Sequence, residues 1–167
     1  GQELTRIWEA SCDTKVVVFS QWTKMLDMVE KLLERNSWKF VRLDGSHSSA
    51  QRQDCLKCFR TRKEVRIMIV SLKAGGVGLN LTSANVGFLL DPWWNPSVES
   101  QAIDRLHRFG QTKSVFIYRF IIEETVEEKM LVLQEKKRKI AEDAMVAGDL
   151  TSEGSKLRIE DLLSFFE

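Results

Sequence analysis

The chain predicts an α/β fold in which helices flank both faces of a parallel sheet, followed by a helical carboxyl-terminal extension. Three observations carry this. Short runs of β-branched and other apolar residues recur, as in Lys15-Val16-Val17-Val18-Phe19, Arg66-Ile67-Met68-Ile69-Val70 and Val86-Gly87-Phe88-Leu89-Leu90, the pattern of strands buried on both faces. Helical periodicity fills the stretches between the runs, and strand alternating with helix implies parallel strands joined by crossovers. The 167 residues suffice for one domain with a sizeable core.

The elements follow in order. Residues 1–14 read as a lead-in helix or linker before the first strand at 15–19. Trp22, Met25, Leu26, Val29, Leu32 and Leu33 then recur at i, i+3, i+4, i+7, i+10 and i+11, which predicts a helix. Phe40-Val41-Arg42-Leu43 is the second strand, ending at Asp44-Gly45. Ser48-x-x-Gln51 is a capping box opening a helix to about Arg60. Strands at 66–70, 86–90 and 114–120 complete the sheet. Between the last two, Asn95 caps a helix with Pro96 at its first position, and Gly110 supplies its stop. Thr125-x-x-Glu128 is a second capping box, opening a long helix to about Ala147 with the stripe Val126, Met130, Leu133, Ile140 and Ala144, interrupted by Lys137. A polar link from Gly148 to Ser155 precedes a short terminal helix from Ile159 to Phe166. Domain boundaries are therefore expected at 1–14, 15–122 and 123–167.

Composition narrows the function. With 43% hydrophobic and 29% charged residues the chain is neither disordered nor collagen-like. No apolar run reaches the roughly 20 residues of a membrane span, so no membrane partner is expected, and no signal peptide is visible. A net charge of +1 means that any nucleic-acid contact is a local patch, not bulk charge. Cys12, Cys55 and Cys58 cannot pair completely, which suits a reducing compartment. Cys55-x-x-Cys58 lacks a second pair to complete four ligands, so it reads as structural and no bound metal is expected. Lys136-Lys137-Arg138-Lys139 reads as a solvated helix face aided by a Glu135–Lys139 pair, or as a nuclear-import signal.

The most informative stretch is Gln101-Ala102-Ile103-Asp104-Arg105-Leu106-His107-Arg108-Phe109-Gly110-Gln111. As a helix at roughly 100° per residue, it sets Gln101, Arg105 and Arg108 within roughly 60° of one another. Val98, Ala102, Leu106 and Phe109 form the adjoining apolar stripe that would anchor it. Two planar, permanently charged guanidinium groups suit a phosphate whose charge builds up during transfer.

Ligands of an open parallel sheet gather beyond the carboxyl ends of its strands. Four segments fall there: Ser20-Gln21, Asp44-Gly45-Ser46, Ser71 to Asn80, and Asp91-Pro92-Trp93-Trp94-Asn95-Pro96. The glycines between Ala74 and Gly78 either shape a turn or let backbone N–H groups approach a phosphate. Ser71 and Lys73 add a hydroxyl and a charge toward a nucleic-acid backbone. Trp93-Trp94 reads as one core and one interface residue, or as a base-stacking pair. The chain contains no Gly-x-x-x-x-Gly-Lys-Ser/Thr phosphate cradle and no Asp-Glu pair after a strand to hold magnesium. Arginine fingers without a nucleotide cradle read as half of a motor.

These segments together resemble a known family. Gln101 to Gln111 is similar to motif VI of the Swi/Snf-type ATPases of helicase superfamily two. Ser71 to Leu81 resembles motif V, Asp91 to Pro96 the tryptophan-containing element between them, and Val17 to Gln21 with Arg42 to Gly45 the motif IV region. The match runs in order from about Lys15 to Lys139. Phe109 stands where isoleucine is usual and Ser46 where threonine is frequent. With Thr125 to Arg138, the similarity is greatest to the post-replication-repair branch that includes helicase-like transcription factor.

The resemblance implies a RecA-like parallel sheet, the second lobe of a two-lobed ATP-driven translocase on double-stranded DNA, with residues 123–167 as a brace. It implies Arg105 and Arg108 as arginine fingers, organised with help from Gln101, and Gly76 and Gly78 as backbone positions near the nucleotide. Ser20, Gly45, Ser46, Ser71 and Lys73 would track a DNA backbone, Trp94 would couple DNA contact to hydrolysis, and Arg52 would brace the lobe. ATP and Mg²⁺ would be held mainly by the first lobe, outside this chain, leaving this lobe inactive alone. Implied partners are duplex DNA, that first lobe and, where a RING insert precedes this segment, the ubiquitin pathway; the implied location is the nucleus. An RNA-helicase lobe of the DEAD-box kind would show His-Arg-x-Gly-Arg-x-Gly-Arg, whereas Arg105-x-x-Arg108-x-Gly-Gln lacks those interior glycines. A non-catalytic protein-binding module is the other alternative.

Overall fold

The computed structural model describes residues 1–11, 13–75 and 78–147, with side chains described to Lys139. The expectations for Cys12 and for the polar link and terminal helix after Ala147 fall outside the described residues. Two compact units divide the chain: Gly1–Asp91 with Ser97–Phe120, and Pro92–Pro96 with the chain from Ile121 onward. In the first, strands β1 (Val16–Ser20), β2 (Phe40–Leu43), β3 (Ile67–Ser71), β4 (Val86–Leu89) and β5 (Phe116–Arg119) form one sheet in the order β2-β3-β1-β4-β5. Every neighbouring pair is parallel. The helices are α1 (Gln2–Ala10), α2 (Thr23–Arg35), α3 (Ser49–Thr61), a single turn α4 (Leu72–Gly75), α5 (Pro96–Ile103) and, in the second unit, α6 (Val126–Ala147).

Why the strands form is visible in their burial. β1, β3 and β4 are buried at every residue, so β-branched side chains fill both faces. Val16, Val18, Ile67, Ile69, Val86 and Phe88 pack on Leu4 of α1 and on Leu26 and Leu33 of α2. The edge strand β5 is exposed at Phe116 and Tyr118, and Phe88 meets the rings of Tyr118 and Phe120 edge-to-face, 5.4 Å from each. Lys15 does not join β1. Its ammonium donates to the carbonyls of Phe59 and Arg62 at the end of α3, capping orphan acceptors there.

The register fixes what lies at each end of the sheet. Val16 stands opposite Ile67 and Val86, while Ser20 stands opposite Ser71 and Phe19 opposite Leu89. Asp44, Ser71, Ser20 and Leu90 therefore leave from one edge, and residues 81–85 enter β4 at the other.

The Ser48 capping box forms as expected, with Gln51 N–H on Ser48 Oγ at 3.4 Å and Ser48 N–H on Gln51 Oε1 at 2.8 Å. The box expected at Thr125 does not. Thr125 Oγ1 accepts from Glu127 N–H at 3.2 Å and donates to the Ile122 carbonyl at 2.7 Å, and the carboxylate reaching back is that of Glu127, onto Ile122 N–H at 2.9 Å. Glu124 has a left-handed φ of 58°, which turns the chain one residue early and brings Glu127 into Glu128's expected place. On α6 Glu135 pairs with Arg138 at 3.0 Å, three residues on, in place of the expected Lys139.

Gly87 in β4 permits the closest packing on the second face. A Cβ there would lie 2.7 Å from Ile117 Cδ1 and 3.4 Å from Leu106 Cδ2. Replacing Gly87 with alanine should therefore cost about 1–3 kcal/mol by overpacking, measured as a lowered urea midpoint; an unchanged midpoint would show that Ile117 and Leu106 yield freely.

Candidate functional site

The expected motif VI helix is not continuous. α5 begins at Pro96 as predicted but ends at Ile103, and residues 104–110 form turns. Arg105 and Leu106 close three-residue bonds to Ala102 and Ile103, at 3.2 and 2.9 Å. To continue, the helix would need the carbonyls of Arg105 and Leu106 to accept from Phe109 and Gly110. Both carbonyls are engaged elsewhere: Arg105 O accepts the N–H of Leu81 at 3.0 Å, and Leu106 O accepts the side-chain amide of Gln111 at 3.3 Å. Gln101 thus stays on the exposed face of α5, while Arg105 and Arg108 sit on the following turn, half-buried and exposed respectively. The expected stripe also breaks. Ala102 and Leu106 are fully buried, but Phe109 is entirely exposed, because the turn rotates it away from the sheet.

Glu99 is a buried acid beside the candidate site that periodicity did not reveal. It is 1% exposed on α5 and pairs with Arg119 of β5 at 3.2 Å, so the start of the helix is tied to the carboxyl end of the edge strand. Gly78 has a left-handed φ of 53° with open space around it, so glycine is favoured there by backbone conformation and not by crowding. Gly76 lies outside the described residues.

The opposite edge gathers the residues expected to meet DNA, with a correction. Ser20 and Ser71 reach it but are 0% and 4% exposed, so neither hydroxyl is presented to a phosphate. The Ser20 hydroxyl donates to the Asp91 carboxylate, which also accepts Gln21 N–H at 2.9 Å. Ser71 Oγ accepts Ala74 N–H at 3.2 Å and starts the turn of α4. These serines brace the loops that follow them. Gly45, Ser46 and Lys73 are exposed as expected.

A carboxylate also shapes the Gly45-Ser46 loop. Asp44 Oδ1 accepts from Ser46 N–H at 3.0 Å and Ser46 Oγ at 2.6 Å, with His47 Nδ1 at 3.2 Å, while Oδ2 accepts from Arg42 Nε at 2.8 Å. Burial pushes the Asp44 carboxyl upward, but the bonds from Ser46, Arg42 and His47 outweigh it and hold it well below the usual carboxylate range. Burial alone would lower Arg42, yet Asp27 at 2.6 Å, Glu30 at 2.7 Å and Asp44 together hold it above its ordinary value. Arg52 donates to the His47 carbonyl at 3.1 Å, bracing the same loop from α3. Cys55 is half-buried, and its thiol, raised by burial, donates to the Arg42 carbonyl at 3.4 Å.

In the second unit, Trp93 is half-buried and Trp94 is 43% exposed. Lys137, expected only to interrupt a stripe, lies 4.6 Å from the Trp94 ring centroid and donates to the Trp94 carbonyl at 3.3 Å. Burial holds its ammonium below its ordinary pKa. Gln134 donates to the Trp93 carbonyl, so α6 grips both tryptophans. Among the described residues no three His, Cys, Asp or Glu side chains converge as a metal site, and no helix is long and apolar enough to cross a membrane.

Residues 2–110 match the helicase conserved C-terminal domain family. The chain is 47% identical over 98% of its length to DNA repair protein RAD5B of Arabidopsis thaliana and 46% identical over 99% to DNA repair protein rad8 of Schizosaccharomyces pombe. The chain belongs to the helicase C-terminal family, in the repair branch of the Swi/Snf-type ATPases. The lobe is also 47% identical over 91% of its length to helicase-like transcription factor CHR28 of Arabidopsis thaliana. The C-terminal part of the Fun30 ATPase domain superposes with a TM-score of 0.76 at 40% identity, covering 80% of the lobe and 43% of that chain, which confirms the RecA-like fold. The lobe spans 12%, 14% and 16% of the three relatives' lengths.

A depressed carboxyl stabilises the folded state fully above its unfolded pKa, about 3.9, and loses that contribution as pH falls through the folded value. An Asp44→Asn lobe should therefore have a lower urea midpoint than the wild type at pH 7, with the gap narrowing below about pH 4. A gap that stays constant down to pH 3 would show that Asp44 stabilises by shape alone.

Proposed function

We propose that this lobe is the second motor lobe of an ATP-dependent translocase on double-stranded DNA, acting in DNA repair or chromatin remodelling in the nucleus. The observation that carries the reading is the pinned turn bearing Arg105 and Arg108. The helicase C-terminal family supports an ATP-hydrolysing context, and the repair proteins among its relatives support the pathway.

Arg105 and Arg108 fit a phosphate. A guanidinium cannot lose its charge at neutral pH and presents planar paired donors. The turn limits their reorganisation, because the backbone of Arg105 is already bonded to Leu81. Gln101 supports the same surface from α5, and the backbone at Gly78 approaches the nucleotide; Gly76 is assigned the same role by the resemblance alone. Among the described residues no cluster of carboxylates accompanies these groups; the family resemblance assigns Mg²⁺ and the greater part of the nucleotide to the first lobe. ATP, when bound with Mg²⁺, supplies the phosphoryl group whose transfer drives the motor. The two arginines stabilise negative charge on that group as the lobes close.

At the other edge, Gly45, Ser46 and Lys73 follow the phosphate backbone of one strand. Asp44 orients Ser46 for this, while Ser20 and Ser71 stiffen the neighbouring loops. Trp94 couples DNA contact to the nucleotide side, steadied by Lys137. An upstream RING, if this protein carries one, would add ubiquitin-pathway partners.

The test uses the full protein with its first lobe. Arg105→Ala and Arg108→Ala should each lower DNA-stimulated ATP hydrolysis by roughly 10³- to 10⁵-fold; an unchanged rate would exclude the finger role and favour a protein-binding module. Duplex DNA should stimulate hydrolysis far more than single-stranded RNA, and the reverse order would favour an RNA-helicase lobe. The isolated 167-residue chain should hydrolyse no ATP, and turnover by it would overturn the two-lobe reading.

A further inference from the structure

Gln111 closes the arginine turn in a way that its motif position does not explain. Its side-chain Nε2 donates to Ala84 O at 2.7 Å, Thr82 O at 3.2 Å and Leu106 O at 3.3 Å. Its Oε1 accepts the N–H of Lys113 at 3.0 Å. Two amide hydrogens thus serve three carbonyls, two on the strand-entry segment 82–84 and one on the arginine turn. Beside them runs the backbone bond from Leu81 N–H to Arg105 O, 3.0 Å. The strand-entry segment is stiff: Asn80 Oδ1 accepts from Thr82 N–H at 3.0 Å and Thr82 Oγ1 at 2.8 Å, and Ala84 N–H bonds to Leu81 O at 2.9 Å.

The chain from Ser71 to Val86 crosses the lobe. It leaves the DNA-side edge at Ser71, which pairs with Ser20, and enters β4 at Val86, which pairs with Val16. Residues 81–84, which follow the glycine-rich loop in sequence, are joined to the arginine turn by the Gln111 amide and by the Leu81 bond to Arg105. We propose that Gln111 is a positioning residue: it staples the arginine turn to the exit of the glycine-rich loop, so that DNA contact at one edge sets the arginines at the other. The inference rests on the reading of Arg105 and Arg108 as phosphate-facing.

The chemistry makes the staple separable from packing. Gln111→Met keeps the length and loses both donors. Gln111→Glu keeps the shape and turns a carboxylate oxygen toward three carbonyl oxygens. In the full protein with its first lobe, Gln111→Met should lower the DNA-saturated kcat for ATP by roughly 10- to 100-fold, the effect of a misplacement near 1 Å. Gln111→Glu should lower it at least as much. KM for ATP and Kd for a duplex oligonucleotide should change less than about threefold, because neither ligand is bound by Gln111 itself. Binding of ADP with aluminium fluoride, which mimics the transferring phosphoryl group, should weaken with kcat, while binding of ADP alone should not. A merely destabilising substitution would lower Tm and the active fraction without this split.

Each outcome separates the two claims. If Gln111→Met turns over within twofold of wild type while Arg105→Ala abolishes hydrolysis, the staple is wrong and the finger reading stands. If Arg105→Ala is also silent, the finger reading itself fails. Should both Gln111 variants fail to fold, hydrogen exchange on the wild-type protein decides. Amides 81–84 and 105–111 should change protection together when duplex DNA is added, and a change confined to one segment would overturn the proposal.

Discussion

The commitment of two carbonyl groups, those of Arg105 and Leu106, determines how this lobe presents its charge. Extending α5 by a few residues is nearly free of cost or gain, since helix propagation is close to neutral per residue. Against that stand a bond from Leu81 and one from Gln111, each worth about 0.5–1.5 kcal/mol, and the burial of Leu106 against Gly87, worth about 1.5–3 kcal/mol. The turn wins. Phe109 is left in solvent as a consequence, and the backbone of Arg105 is tied to Leu81.

The sheet converts that local choice into a two-ended device. β1 and β3 are five residues long, roughly 16 Å at 3.3 Å per residue, and the register holds their two ends apart. The loops beyond the carboxyl ends of the strands are rigidified by two carboxylates, Asp44 and Asp91, each holding a serine. A buried carboxylate is unfavourable unless its charge is compensated. Asp44 is compensated by Arg42, whose guanidinium spans Asp44, Asp27 and Glu30. The serines thus serve loop geometry, leaving Ser46 and Lys73 as the groups that face outward.

Much of this was legible in the sequence, and the exceptions share a cause. β1 and β3 were readable because an apolar β-branched run has one stable use, a strand covered on both faces. Ser48 was readable because both partners of its capping box lie within three residues. The continuous helix expected through Arg105 and Arg108 does not form: periodicity is a local property, and the donors that end α5 come from Leu81 and Gln111. Ser20 and Ser71 were placed at the right edge with the wrong exposure, because Asp91, seventy-one residues from Ser20, takes up the Ser20 hydroxyl. Lys137 read as a flaw in a stripe because its partner is the ring of Trp94, forty-three residues away. In each case composition identified the participant and a non-local partner set its role.

α5 shows why such partners are placed where they are. It is only eight residues long, about 12 Å, too short to hold an orientation by packing one stripe. It is fixed at its two ends instead. Glu99 meets Arg119 at the carboxyl end of β5, and the carbonyls after Ile103 meet residues 81 and 111 near the start of β4. A buried carboxylate paired with an arginine adds little net stability, since desolvation offsets most of the attraction. What such a pair can impose is direction, because a buried charge tolerates few alternative placements. Burial of Ala102 and Leu106 holds the helix against the sheet, Glu99 sets its azimuth, and the turn sets its end. Arg105 and Arg108 are thereby carried on a strut anchored at both ends, so their backbone has little freedom to move apart from the sheet.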